Sequence, residues 1–161
     1  MKKRAVLALA ALLLLAAGCG GGQADGAETA EVSLTDLYAG MEASCGWGED
    51  YMTSVEGELL EEYYPGLSGV PAKQLLVRVP AMSSDVNEIV LFQGEAEEDA
   101  EHAAAILQAR VDAQVEGGAW YPETQAAWEK AQVLRRGAYA ALIASGEFQE
   151  SLEEQFNQQF S

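Results

Sequence analysis

Leu75-Leu76-Val77-Arg78-Val79 and Glu88-Ile89-Val90-Leu91-Phe92, parted by the Pro80–Asn87 segment, decide the fold of this chain. Both are short aliphatic runs rich in β-branched residues, a composition that suits a pleated, buried surface, and their closeness predicts an antiparallel pair. A second pair is expected downstream, Gln132–Arg135 and Ala138–Ala144, with Arg136-Gly137 as the hairpin tip. Tyr139-Ala140-Ala141-Leu142-Ile143 is apolar enough to sit centrally in a sheet, although alanine is a poor strand former.

Outward from these strands the pattern turns helical. Ser33 stands as an N-cap with Asp36 three residues on, and Leu34, Leu37, Tyr38 and Met41 then fall on one stripe. Gly46–Thr53 breaks that helix. Ser54 is expected to cap a short second helix through Tyr63, closed by the turn Tyr64-Pro65-Gly66-Leu67. Glu95–Glu116 carries Ala103, Ile106, Leu107 and Val111 at helical spacing, and Gly117-Gly118 ends it. Pro122 suits a first helical turn, with Ala126, Ala127, Trp128 and Ala131 following it. Phe148, Leu152, Gln155 and Phe156 mark a terminal helix over Glu147–Phe160. The expected order is αα-ββ-α-α-ββ-α. It describes a single α+β domain over residues 32–161, with a roughly four-stranded antiparallel sheet of two strand pairs, covered by helices on one face. Val90, Phe92, Leu142 and Ile143 are expected to line that covered face.

The N-terminus carries an address. Lys2, Lys3 and Arg4 precede the apolar run Ala5–Leu15, and Ala16-Ala17-Gly18 leads directly to Cys19. An apolar helix of about 11 residues reaches only about 16 Å, against a hydrocarbon core of about 30 Å, so the run fits a cleaved signal and not a permanent span. Leu15-Ala16-Ala17-Gly18-Cys19 resembles the bacterial lipobox, with Ala16 where leucine is usual. Residues 1–18 are therefore expected to be a lipoprotein signal peptide and Cys19 the acylated residue. Gly20–Glu31, rich in glycine, alanine and acids, is expected to be a flexible tether reaching about 20 Å. Two acyl chains suffice for stable anchoring, which puts the expected site of action at the outer face of the cytoplasmic membrane.

The whole chain has a formal net charge of −17, and removing the signal leaves six Lys and Arg against 26 acids. A surface so acidic is repelled by phosphate backbones and anionic head groups, which argues against a nucleic-acid partner and leaves membrane contact to the lipid anchor. Once Cys19 is acylated only Cys45 remains, so no intramolecular disulfide can form and the fold must rest on its core. Cys45 lacks a CxxC partner and any adjacent His or Lys, and reads as a small hydrophobe.

Several short motifs together resemble a known family. The lipobox and acidic tether are followed by Leu34-Thr35-Asp36-Leu37-Tyr38 and the strand Asn87-Glu88-Ile89-Val90-Leu91-Phe92. Gln108-Ala109-Arg110 in a long helix, Tyr121-Pro122-Glu123 and Gly137-Ala138-Tyr139 come next. In this order and spacing they resemble the bacterial lipoprotein family called domain of unknown function 4358. The resemblance implies an anchored extracytoplasmic domain and carries over no catalytic residue.

Catalytic chemistry is hard to assemble from these residues. The lone His102 lies in an acidic helix without a second histidine or an HExxH pattern, and reads as part of a solvated face. Glu95, Glu97, Glu98, Asp99 and Glu101 lack the alternation and central glycine of an EF-hand and suit a helix N-terminus. No nucleophile elbow, SxxK pair or phosphate-binding loop occurs. No cofactor, metal ligand or catalytic residue is therefore expected. Trp47, Trp120 and Tyr121 are the candidate binding residues, since aromatics at loops and helix ends either grip a ligand or close the core. The expected function is an anchored binding or interaction module for an envelope protein, peptide or glycan. A carboxylate-dependent envelope hydrolase is the alternative.

Overall fold

A computed structural model of the chain describes residues 31–82 and 84–161. The signal peptide, Cys19 and nearly all of the expected tether lie outside the described residues. Val32–Ser161 forms one compact unit.

The secondary structure follows in chain order. Helix α1 (Leu34–Cys45) and strand β1 (Met52–Ser54) come first, then helix α2 (Glu58–Tyr63) and the strands β2 (Ala72–Pro80) and β3 (Asn87–Gly94). Helices α3 (Glu97–Ala113) and α4 (Pro122–Lys130) lead to strands β4 (Gln132–Arg136) and β5 (Tyr139–Ser145) and to a terminal helix α5 (Gln149–Gln158). All strand pairings are antiparallel, in the spatial order β1-β2-β3-β5-β4. The β2–β3 and β4–β5 hairpins join through β3 and β5, where Val90 faces Leu142 and Phe92 faces Ala140.

The α+β class and the two strand pairs agree with the sequence pattern, and four expectations need correction. The sheet has five strands, because Met52–Ser54 pairs with Arg78–Pro80 along one edge. Three residues are too few to display an alternating pattern. Ser54 consequently ends a strand, and α2 starts four residues later, behind Gly57. The sheet is also covered on both faces. Val77, Val79, Val90, Phe92, Ala140 and Leu142 pack with residues of α2, α3 and α4. Leu76, Ile89, Leu91, Ala141 and Ile143 pack with α1 and α5. Ile143 thus lies opposite Val90, Phe92 and Leu142, not beside them. The physical reason is the twofold pleat: β3 is buried at every position, so each neighbouring pair of side chains serves two different cores.

The helices bury the stripes that their spacing announces. On α1, Ser33 Oγ accepts from the Asp36 N–H at 3.2 Å, and Leu34, Leu37, Tyr38 and Met41 are buried. On α3, Asp99 reaches back to the Ala96 N–H at 2.8 Å, and Ala100, Ala103, Leu107 and Val111 face the sheet. Gly94 makes the corner between β3 and α3 tight, since a Cβ there would lie 2.5 Å from the Asp99 Cβ. Alanines weaken the intrinsic strand preference of β5, but Ala140 and Ala144 share the α3 side of the core with Ala100 and Ala103, where small side chains permit close layers.

The two-faced core has a measurable consequence. Phe92→Ala and Ile143→Ala should each destabilise the domain by about 2–5 kcal/mol, because each leaves a cavity. As their side chains enter separate cores, the double variant should equal the sum to within about 0.5 kcal/mol. Denaturant melts of the four proteins check this, and strong coupling would place both side chains in one core.

Candidate binding groove

Strand β3 opens with two polar residues, and each serves one face. Asn87 Nδ2 donates to the Tyr51 hydroxyl at 2.6 Å, while Asn87 Oδ1 accepts from Ser145 Oγ at 2.7 Å. The Tyr51 hydroxyl in turn donates to Asp85 Oδ2 at 3.1 Å, which ties the loop before β3 to the turn before β1. Glu88 points to the other face, where the carboxylate is nearly inaccessible. Arg110 on α3 grips it side-on, Nε donating to Oε1 at 3.0 Å and Nη2 to Oε2 at 2.9 Å. The buried Tyr64 hydroxyl also donates to Glu88 Oε1. Three aromatic rings surround the guanidinium: Tyr63 at 4.6 Å, Trp128 at 5.4 Å and Tyr64 at 6.0 Å.

The environment sets the charge states. Burial opposes the Arg110 charge, but the hydrogen bonds and negative charge of Glu88 more than offset it, and the guanidinium titrates above its ordinary value. Burial, then the Glu88 charge and hydrogen bond, push the Tyr64 phenol well above its usual range. The pair is bidentate and ringed by aromatics, the geometry in which a buried charge is tolerated.

Glu88, Arg110 and Trp128 floor a groove of about 400 Å³, with Tyr64 buried beneath them. One wall comes from α2 through Leu59 and Tyr63, another from Pro80 and Ala81 after β2, and the third from the segment that follows α3. That segment departs from regular helix. Gln114–Gly118 forms one wide π-type turn, with Gly117 at φ 149°, where a side chain would be strained. A Cβ on Gly118 would meet Gln114 Nε2 at 2.6 Å. The glycines therefore end the helix as the sequence predicts, and the wide turn carries Trp120 and Tyr121 out to the rim. Thr124 holds them at the start of α4, its Oγ1 accepting from the Tyr121 N–H at 3.3 Å and donating to the Tyr121 carbonyl at 2.8 Å.

The expected binding residues part company here. Trp120 is 90% exposed and Tyr121 66%, so neither closes the core. Trp47 is half-buried, stacked on Tyr51 at 5.5 Å and edge-on to Phe148 at 6.0 Å, and it packs against the α1–α5 side. Cys19 lies outside the described residues. Cys45 is half-buried, and burial raises its thiol pKa, with the Glu147 charge adding to that and the Ser44 contact opposing it. His102, Glu97 and Glu98 stand on the exposed face of α3, away from the groove. Sequence reasoning missed Glu88, Arg110, Tyr63, Tyr64 and Trp128 as parts of one site. A signal existed: Glu88 opens an otherwise apolar strand, and Arg110 adjoins the buried Leu107 and Val111 in a helix otherwise rich in acids.

A family model for a domain of unknown function, number 4358, matches residues 47–145. The chain belongs to that family. Within this DUF4358 member the match runs from just before β1 to the end of β5, so it spans the whole sheet and the α2, α3 and α4 face that builds the groove. Helices α1 and α5 fall outside it. The Gly46-Trp47-Gly48 segment, foreign to the motifs above, sits at its N-terminal limit. No curated protein and no solved structure matches the chain.

Two measurements probe the floor of the groove. Arg110→Met should destabilise the domain by about 3–5 kcal/mol, since it strands a buried carboxylate, and adding Glu88→Leu should recover a large part of that loss. A double variant no more stable than the single one would count against the pairing. The second measurement is alkaline titration. Tyr64 titrates higher folded than unfolded, so its contribution is intact below the unfolded value of about 10 and is lost as pH rises from there through the folded value. Stability from denaturant melts should therefore fall above about pH 10, and Tyr64→Phe should make that fall shallower.

Proposed function

We propose that this chain is a lipid-anchored binding module of the bacterial cell envelope, held at the outer face of the cytoplasmic membrane through Cys19, and that it takes its partner in the groove beneath Trp120 and Tyr121. The observation that carries this reading is the pair of adjacent aromatics standing almost free of the fold at the rim of a groove. Leaving them in water forgoes the several kcal/mol that burying two such rings would contribute, and a bound partner would recover it.

The path of the chain supports the same reading. At the start of the domain the Val32 N–H donates to the Tyr139 hydroxyl at 3.1 Å, and the Val32 carbonyl accepts from Gln74 Nε2 at 2.9 Å. Gln74 and Tyr139 lie at one end of the sheet, whereas Pro80 and Glu88 of the groove lie at the other, roughly 20 Å away along β2. A tether entering at the first end leaves the groove at the pole farthest from its attachment. For the hydrolase alternative, a carboxylate pair would have to face the groove free to act. Glu88 is instead committed to Arg110, and Asp85 accepts the Tyr51 hydroxyl.

Photocrosslinking in intact cells tests the proposal. Benzoyl-phenylalanine placed at position 120 should yield a discrete crosslinked species, and the same group at position 102, on the exposed face of α3, should not. Cys19→Ala in the same cells should block acyl labelling and abolish the crosslink or leave an uncleaved precursor. Equal crosslinking at positions 120 and 102 would sink the groove, and acyl labelling of the Cys19 variant would sink the anchor.

A further inference from the structure

The composition of the rim narrows the kind of partner, on the reading that the groove is a binding site. Four large hydrophobic side chains are exposed among the described residues: Leu59 at 42%, Met82 at 65%, Trp120 at 90% and Tyr121 at 66%. Scattered singly over a surface they would need no explanation. Here three of the four, Leu59, Trp120 and Tyr121, line the one groove. Trp120 and Tyr121 alone would suit the flat face of a sugar ring as well as an apolar side chain. Leu59 presents no flat face, and an aliphatic side chain is the surface it complements.

Charge supplies the second restriction. Exposed acids outnumber exposed cations on the segments beside the groove: Glu58 and Glu62 on α2, Glu116 in the wide turn and Glu123 at the start of α4 stand against Lys130 at the far end of α4, while Glu61 is held by Gly66 and Ser68. Among the described residues Arg110 is the sole cation lining the groove, and its charge is neutralised by the bidentate Glu88. The chain as a whole carries −17. At physiological salt charges interact over about 8 Å, so the rim acids act on groups beside the groove and not on distant ones. The volume of about 400 Å³ admits a few side chains and not a whole helix.

We propose that the groove takes a short polypeptide segment in which an apolar anchor residue is flanked by lysine or arginine. The anchor contacts Trp120, Tyr121 and Leu59, while the flanking cations meet Glu58 and Glu62 of α2 and Glu116 and Glu123 on either side of Trp120. Electrostatic complementarity of this kind raises the association rate and selects against acidic competitors, and the buried anchor supplies the affinity.

The test pans a random dodecapeptide phage library against the full-length lipoprotein in nanodiscs. Enriched peptides should carry net positive charge and at least one Trp, Phe, Leu or Met. Synthetic copies should bind about tenfold more weakly to Trp120→Ala. They should also weaken when sodium chloride rises from about 0.15 to 0.5 M, and Glu58→Gln with Glu62→Gln should flatten that salt dependence. Trp120 and both glutamates are exposed, so these variants keep the fold. Enrichment of neutral or acidic peptides, or binding indifferent to both Trp120→Ala and the glutamine changes, would overturn the proposal. If no peptide is enriched but chitohexaose binds with an affinity that Trp120→Ala abolishes, the groove stands as a binding site and its polypeptide ligand is wrong. If neither probe senses position 120, both readings fall.

Discussion

A strand with no face toward water sets the terms for everything around it. Strand β3 is buried at all eight positions and is flanked by β2 and β5, so both sides of the sheet must be covered. The chain meets that requirement by splitting its helices: α2, α3 and α4 serve one side, α1 and α5 the other. The two cores share only the backbone of the sheet. Each is small, and each depends on the register of the β3–β5 pairing, because a slip of one residue would exchange their side chains.

Burying the whole of β3 also buries the two polar residues at its start, and their satisfaction organises one pole of the domain. Asn87 knits together Tyr51 and Ser145, which come from far apart in the sequence. Glu88 fixes α3 through Arg110 and the close of α2 through Tyr64. Every buried side-chain polar atom among the described residues has a hydrogen-bond partner. The cation that neutralises Glu88 sits among aromatic rings, so the floor of the groove is rigid, electrically quiet and flanked by surfaces suited to apolar contact. Rim and floor therefore divide their roles. The floor stabilises the fold, while the rim leaves apolar surface in water.

The groove owes its exposed aromatics to a local interruption. A regular helix continued past Ala113 would extend α3 beyond the sheet and give Trp120 no fixed place. Gly117 and Gly118 allow the wide turn instead, and Pro122 with Thr124 starts α4 immediately afterwards. Two helix boundaries within ten residues thus present Trp120 and Tyr121 on a short, well-bounded segment beside the Glu88–Arg110 pair.

The sequence by itself determined the α+β class, the two hairpins, the buried stripe of α1, the main buried positions Ala103, Leu107 and Val111 of α3 and Leu152 and Phe156 of α5, and the glycine stop after α3. Each of these is written in the spacing of near neighbours, since a helix repeats every 3.6 residues and a strand every two. Only the tertiary structure decided that β1 is a strand, that helices cover both faces, and that Ile143 and Phe92 serve different cores. Three-residue β1 carries no period of its own, and its pairing with β2 is a long-range choice. Val90-Leu91 and Leu142-Ile143 read as uniformly apolar, which signals burial but leaves open which helix lies on which side. The groove was the least legible part. Glu88 and Arg110 lie 22 residues apart, Tyr64 lies 24 from Glu88, and nothing local joins them. Whether Trp120 or Trp128 faced solvent depended on where a wide turn set the chain down against the sheet. That is fixed by packing between distant segments and not by the identity of either residue.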